Sequence, residues 1–177
     1  MERRLSEPRP EYLILGLLKA GPDYGYRLHL AFERYLGKVW HISQSQFYAM
    51  LKRLSVKGWV EASADKASGR QVFALAAEGE RRLALWLSAD SVSSARIIRL
   101  EFISRLFFAE FLGDPPARNM IDGQIGTVRS EVANLRRLLD QLGDGEHYNA
   151  LGLEFRLSQL AALEAWLGTL RSRILSK

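Results

Sequence analysis

The stretch HISQSQFYAMLKRLSVKGWV, residues 41–60, decides the fold. Ser43 and Gln46 stand at capping-box spacing, S-x-x-Q, which predicts a helix over roughly 44–57 that Gly58 ends. Phe47, Met50, Leu51 and Leu54 recur at i, i+3, i+4 and i+7, so a single face of this helix is buried. Gln44, Ser45, Tyr48, Ala49, Lys52 and Ser55 fall outside that face, with Gln46 and Arg53 at its margins. The outer face is either an ordinary solvated side or a surface made to enter a groove, and its neighbours in the chain decide between the two.

Upstream, Pro10–Ala20 (PEYLILGLLKA) opens with a proline and is apolar on more than one side, which predicts a short, well-buried helix. GPD at 21–23 reads as a turn. Tyr24, Leu28, Phe32 (or Ala31) and Tyr35 then keep helical spacing in a second helix, with Asp23 as its N-cap and Gly37 as its stop. KVWHI at 38–42 reads as a very short strand. Downstream, WVEAS and QVFAL have strand propensity and flank ADKASGR, a polar hairpin tip that carries Lys66 and Arg70. A fourth helix follows at about 77–88. Three helices and then a two-stranded hairpin is the order of a winged helix-turn-helix, with the third helix in the recognition position and the hairpin as the wing.

In that position the outer face acquires a chemistry. Glutamine can pair with an adenine edge, serine can bond several bases, and lysine or arginine can reach guanine or phosphate. Ala49 lets the backbone approach closely, and the N–H groups at the helix start suit phosphate. Gln44, Ser45, Gln46, Tyr48, Lys52 and Arg53 are therefore the expected base and phosphate contacts, with Lys66 and Arg70 gripping the backbone from the wing. The charge agrees. The chain carries +5, and residues 1–89 hold 14 basic and 9 acidic residues against 11 of each in 90–177, so the whole surplus lies in the first half.

The second half reads differently. SVSSAR at 91–96 is a junction, and Ile97–Leu112 reads as one helix dense in Phe, Leu and Ile. GDPP stops it, and 114–116 start the next. Ile121, Ile125, Val128, Val132, Leu135, Leu139 and Leu142 alternate spacings of four and three, a heptad seam. After GDGE at 143–146, a last helix over about 147–175 repeats the pattern at Leu153, Leu157, Leu160, Leu163, Leu167, Leu170 and Ile174, beside Trp166. The two long helices can close on each other as a hairpin within one chain, but three such helices have too few partners there, which favours a homodimer.

Several function classes find no support. His29, His41 and His147 lie in separate segments without metal-ligand spacing, there is no phosphate-binding glycine loop, and no nucleophile motif occurs, so the chain is not expected to be an enzyme or to need a cofactor. The absence of cysteine removes disulfides and thiolate sites and fits a reducing cytoplasm. No apolar run approaches a membrane span, and MERRLSEPRP lacks the apolar core of a signal peptide.

YLILGLLKAGPDYGYRLHL, SQSQFYAMLKRLSVKGWVEAS and SGRQVFALAAEGERRL together resemble the winged-helix domain of PadR-like transcriptional regulators. The residues that carry the likeness are Gly21, Pro22, Gly25 and Tyr26, then Phe47, Tyr48, Leu51, Leu54, Gly58 and Val60, then Gly69, Arg70, Phe73, Leu75, Glu78 and Gly79. Ala49 departs from the proline usual there, Gln71-Val72-Phe73 from a wing richer in Arg and Tyr, and Leu75-Ala76 from Leu-Thr. LEFISRLFFA and the long helices that follow resemble the virulence-activator-like C-terminal domain of the same regulators.

The expected fold is thus mainly α with a small β-hairpin: a winged helix-turn-helix domain over 1–89 and a helical dimerisation domain over 90–177. The resemblance implies long antiparallel helices in the second domain, a repressor acting on double-stranded DNA, and a small aromatic effector. Trp40, Trp59, Trp86 and Trp166 offer apolar surface for such a ligand. Their commoner role is core filling, and no residue is assigned to it. The rival class is a protein-interaction module whose winged helix meets a partner protein.

Overall fold

The computed structural model describes residues 8–65, 68–91, 93–113, 117–143 and 145–175. Lys66 and the helix start expected at 114–116 lie outside them. Helix α1 spans Glu11–Lys19, strand β1 Asp23–Tyr24, α2 Gly25–Tyr35 and α3 Gln44–Val56. Strands β2 (Val60–Ala64) and β3 (Gln71–Leu75) follow, and then α4 (Ala77–Leu87). The second half contains α5 (Ala95–Ile97), a π-helical turn (Ile98–Phe102), α6 (Ile103–Leu112), α7 (Ala117–Asp140) and α8 (His147–Leu175).

The mainly helical winged helix is present, and the sheet has one more strand than expected. Its order is β1-β3-β2, all antiparallel, with Asp23 opposite Phe73 and Val60 opposite Leu75. Asp23 is therefore not the helix N-cap expected from its spacing. It belongs to a strand, its Oδ1 accepts the Tyr24 N–H at 2.8 Å, and Tyr24 occupies the cap position without a side-chain bond. A two-residue strand is too short to show alternation, so nothing in the local pattern announces it. KVWHI is not a strand either. The chain turns back through bonds from the Val39 and Trp40 N–H groups to Leu36 O, and Trp40 is buried with its indole N–H on Ser104 Oγ at 2.8 Å.

By packing, the chain divides into two compact units. One contains α1 to α4, the sheet and α6; the other contains α5, the π turn, α7 and α8. Helix α6, which follows residue 89 in the chain, packs in the same unit as the winged helix. Its Phe108 is fully buried against Gly16 of α1, where a Cβ would collide with the ring. The single helix expected over 97–112 is likewise interrupted by the π turn, whose residues Ile98, Leu100, Glu101 and Phe102 are all buried. A composition dense in apolar residues gives no sign of such a change of pitch.

The core of the winged-helix unit is aromatic. Tyr12 stacks on Trp86 at 5.2 Å, and Trp86 meets Phe108 edge-on at 6.2 Å. Phe32 and Phe47 lie 5.5 Å apart and hold α2 against α3. Burying a side chain of this size stabilises by about 2–3 kcal/mol. Trp40, Trp59 and Trp86 all pack within this unit, Trp59 beneath the cations of Lys57 and Arg82 at 4.9 and 4.5 Å. In the other unit α7 and α8 pack along the expected seam. Ile121, Val128 and Leu135 are buried with Leu160 and Leu167, and Arg129–Glu164 (2.6 Å) and Arg156–Glu131 (2.9 Å) pair at its edges.

Candidate nucleic-acid interface

Helix α3 begins on the capping box that the sequence spells. The Gln46 N–H donates to Ser43 Oγ at 3.3 Å, and the Ser43 N–H donates to Gln46 Oε1 at 2.9 Å. It ends in a Schellman turn, with Trp59 N–H on Leu54 O, Gly58 N–H on Ser55 O, and Gly58 at φ +66°. Phe47, Met50, Leu51 and Leu54 are 0–3% exposed. Both ends and the inner face are thus fixed, which leaves the outer face as a rigid display.

Gln44, Ser45, Gln46, Tyr48, Lys52 and Arg53 all lie on the exposed side, as does Arg70 at the hairpin tip. They do not stand alike. Gln46 spends its carbonyl oxygen on the cap, so it is not free for a two-point base contact without opening that cap. Ser45 Oγ lies 3.0 Å from Ser43 Oγ. Tyr48 is half-exposed, set edge-on to Phe47 and over the start of α2: a Cβ on Gly25 would stand 3.0 Å from its Cε1. Gly25 is thus explained by the ring it admits. The Gln44 side chain is exposed and has no hydrogen-bond partner among the described residues.

Helix α3 carries its cations without acidic neighbours. Helix α3 contains no acidic residue, and Lys52 and Arg53 have no acidic partner among the described residues. On α4 the opposite holds. Arg81 and Arg82 both close on Glu78, at 2.7–2.8 Å, and these bonds, Arg81 first, pull its carboxyl from 4.5 down to about 2. Whatever Glu78 contributes to stability is therefore complete above its ordinary range and is lost as pH falls toward 2. A solvated helix face ordinarily neutralises its cations in this way. Helix α3 leaves them available.

A cluster at the start of α2 adds residues that the pattern did not single out. Tyr26 is exposed, its ring stacks on Tyr24 at 6.1 Å, and its hydroxyl accepts from Arg27 Nε at 3.1 Å. Tyr24 in turn donates to Asp65, where β2 enters the wing tip. Only the Gly25–Tyr26 pair of the family likeness pointed to this corner. No group of three His, Cys, Asp or Glu side chains among the described residues could hold a metal ion, and no described helix is long and apolar enough to cross a membrane.

A capped helix with a buried inner face and unpaired outer cations, set between two helices and a wing, places this protein in the winged helix-turn-helix class of DNA-binding domains. Residues 14–85 match the Transcriptional regulator PadR-like family. That stretch, the winged-helix part of the chain, carries the likeness to PadR-like transcriptional regulators. The chain is 24% identical over 135 residues to the Negative transcriptional regulator PadR of Bacillus subtilis (strain 168), covering 75% of this chain and 74% of that one. Among solved structures it is similar to Bacillus subtilis PadR in complex with operator DNA, at 21% identity, 92% and 96% coverage and a TM-score of 0.43. It is also similar to the same protein in complex with p-coumaric acid, at 24% identity, 93% and 98% coverage and a TM-score of 0.45.

Proposed function

We propose that the protein is a cytoplasmic, homodimeric repressor that binds a roughly palindromic operator through α3 and the wing. The observation that carries this reading is the outer face of α3, rigidly mounted and bearing unpaired Lys52 and Arg53 beside free Gln44. Gln44 and Ser45 read base edges, Tyr48, Lys52 and Arg53 make base and phosphate contacts, and Arg70 and Lys66 grip the backbone. Gln46 serves chiefly as the cap that aims this face. Tyr26 and Arg27 add a phosphate contact from the start of α2, where the first helix of such motifs crosses the backbone. The relative named as a negative regulator supports repression, and the relative solved with p-coumaric acid supports a small aromatic effector.

Gel shifts on random-sequence duplexes over a salt series test the reading. Affinity should fall steeply with salt, because each phosphate contact adds about 0.9 to the slope of log K against log salt. A protein-interaction module would give no shift at any salt. Gln44→Ala should relax the preference at one base position in each half-site, by about 1–3 kcal/mol of discrimination, and leave the salt slope alone. An unchanged preference would remove Gln44 from the reading set.

The dimer is supported by a second apolar stripe on α8. Tyr148, Leu151, Phe155 and Trp166 share one face and stay exposed, Phe155 at 67%, while Leu160 and Leu167, about a third of a turn away, are buried in the seam. The stripe suits a second copy of the chain. Sedimentation should find a dimer for the parent and a monomer for the double variant Phe155→Glu, Trp166→Glu, with helical content retained. A double variant that sediments as a dimer would place the interface elsewhere.

A further inference from the structure

The wing tip is tied to the helix-turn-helix by side chains rather than left as a free loop. Asp65 closes β2, and its Oδ2 accepts the Tyr24 hydroxyl from β1 and the Ser68 hydroxyl at 2.7 Å. Ser68 Oγ in turn accepts the Arg70 N–H at 3.3 Å. Across the tip the Asp65 N–H donates to Arg70 O and the Gly69 N–H donates to Asp65 O, each at 2.8 Å, with Gly69 at φ +66°. On its other side the Tyr24 ring stacks on Tyr26 and lies under the Arg27 guanidinium, 5.6 Å away. The neighbouring Gly25 carries the Tyr48 ring of α3. One carboxylate therefore joins the wing to the start of α2, and that start touches the recognition helix.

A carboxylate is costly on a surface that is to meet phosphates, since it repels them. Its compensation here is geometric: as an acceptor without hydrogens it collects two hydroxyls on one oxygen and fixes the turn that ends in Arg70. We propose that Tyr24, Asp65 and Ser68 form a latch that holds the wing against the helix-turn-helix and aims Arg70, which makes Tyr24 and Asp65 positioning residues for backbone contact. The proposal rests on the DNA-binding reading above and adds a coupling to it: beyond the β1–β3 ladder, the Tyr24 side chain ties the wing tip to the start of α2.

The test has an arm that does not involve DNA. In the full-length free protein, amide hydrogen exchange at Gly69 and Arg70 should quicken about tenfold in Tyr24→Phe, which deletes one hydroxyl and keeps the ring. Unchanged exchange overturns the latch whatever the DNA does. On a duplex enriched from random-sequence DNA, Tyr24→Phe should weaken binding about fivefold, the scale of one hydrogen bond. In an Arg70→Ala background the same change should cost less than about twofold, since nothing remains to be aimed. Asp65→Asn keeps the acceptor oxygen and should bind as tightly as the parent or tighter, whereas Asp65→Ala should weaken binding. Equal losses for Tyr24→Phe in both backgrounds, or equal tightening by both Asp65 variants, would reduce the cluster to local packing or simple repulsion. A parent that binds no duplex, with exchange at Gly69 and Arg70 behaving as expected, would contradict the DNA-binding reading and leave the latch standing.

Discussion

Replacing both Lys52 and Arg53 by alanine should weaken DNA binding about a hundredfold at moderate salt and lower the salt slope by about 2, one unit for each lost contact. The size follows from the absence of acidic residues on α3 and of an acidic partner for either cation among the described residues. Neither charge has to be freed from an ion pair before it meets phosphate, so its full effect falls on binding. Both side chains are exposed, and the inner face that anchors the helix is untouched. The thermal midpoint should therefore stay within about 2 °C of the parent, as for surface changes generally. Fluorescence anisotropy across a salt series, beside a melting curve, reads both quantities. Parental affinity in the double variant would mean that α3 does not dock as proposed.

The largest effect on stability should come from Gly79→Ala. A Cβ at this position in α4 would overlap the carbonyl oxygen of Trp59 and lie 2.9 Å from Leu75 Cδ1. The obstacle is backbone at the entry to β2, fixed there by the Schellman turn and by the Ala76 N–H on Trp59 O at 3.1 Å, so it cannot swing aside as a side chain would. In an open helix the same substitution would help slightly, because alanine is the better helix former. Here the overlap decides the sign. The expected loss is about 3 kcal/mol, or about 10 °C in thermal midpoint, with DNA binding lost as the wing moves. A midpoint equal to or above that of the parent would show that α4 can lift off the sheet at little cost.

Much of this arrangement was legible in the sequence, for identifiable reasons. The capping box at Ser43 and Gln46 and the Phe47–Leu54 face are local patterns with one physical meaning each, and α3 appears within a residue of its expected bounds. The heptads of α7 and α8 likewise report a seam because seven apolar positions repeat it. What escaped is what depends on partners distant in the chain. Asp23 and Tyr24 become a strand only because β3 lies beside them, and Trp40 turns inward because Ser104 offers its indole a hydroxyl. Helix α6 joins the winged helix through the Phe108 and Gly16 contact, which no periodicity encodes. At the candidate interface the exposed set was visible, but its internal division was not: Gln46 is drawn into the cap, and Tyr24 reaches Asp65 across 41 residues. Spacing shows which residues share a face, while their partners show which of them are free to act.

On the proposed reading, the outer face of α3 reads DNA in two symmetric half-sites. The most direct measurement is selection of bound fragments from random-sequence DNA by the full chain, run in parallel with the Lys52→Ala, Arg53→Ala double variant. The parent should enrich one inverted repeat with half-site centres one helical turn apart, about 34 Å, and the double variant should enrich nothing above background. No enrichment by the parent, or the same repeat enriched equally by both chains, would contradict the claim.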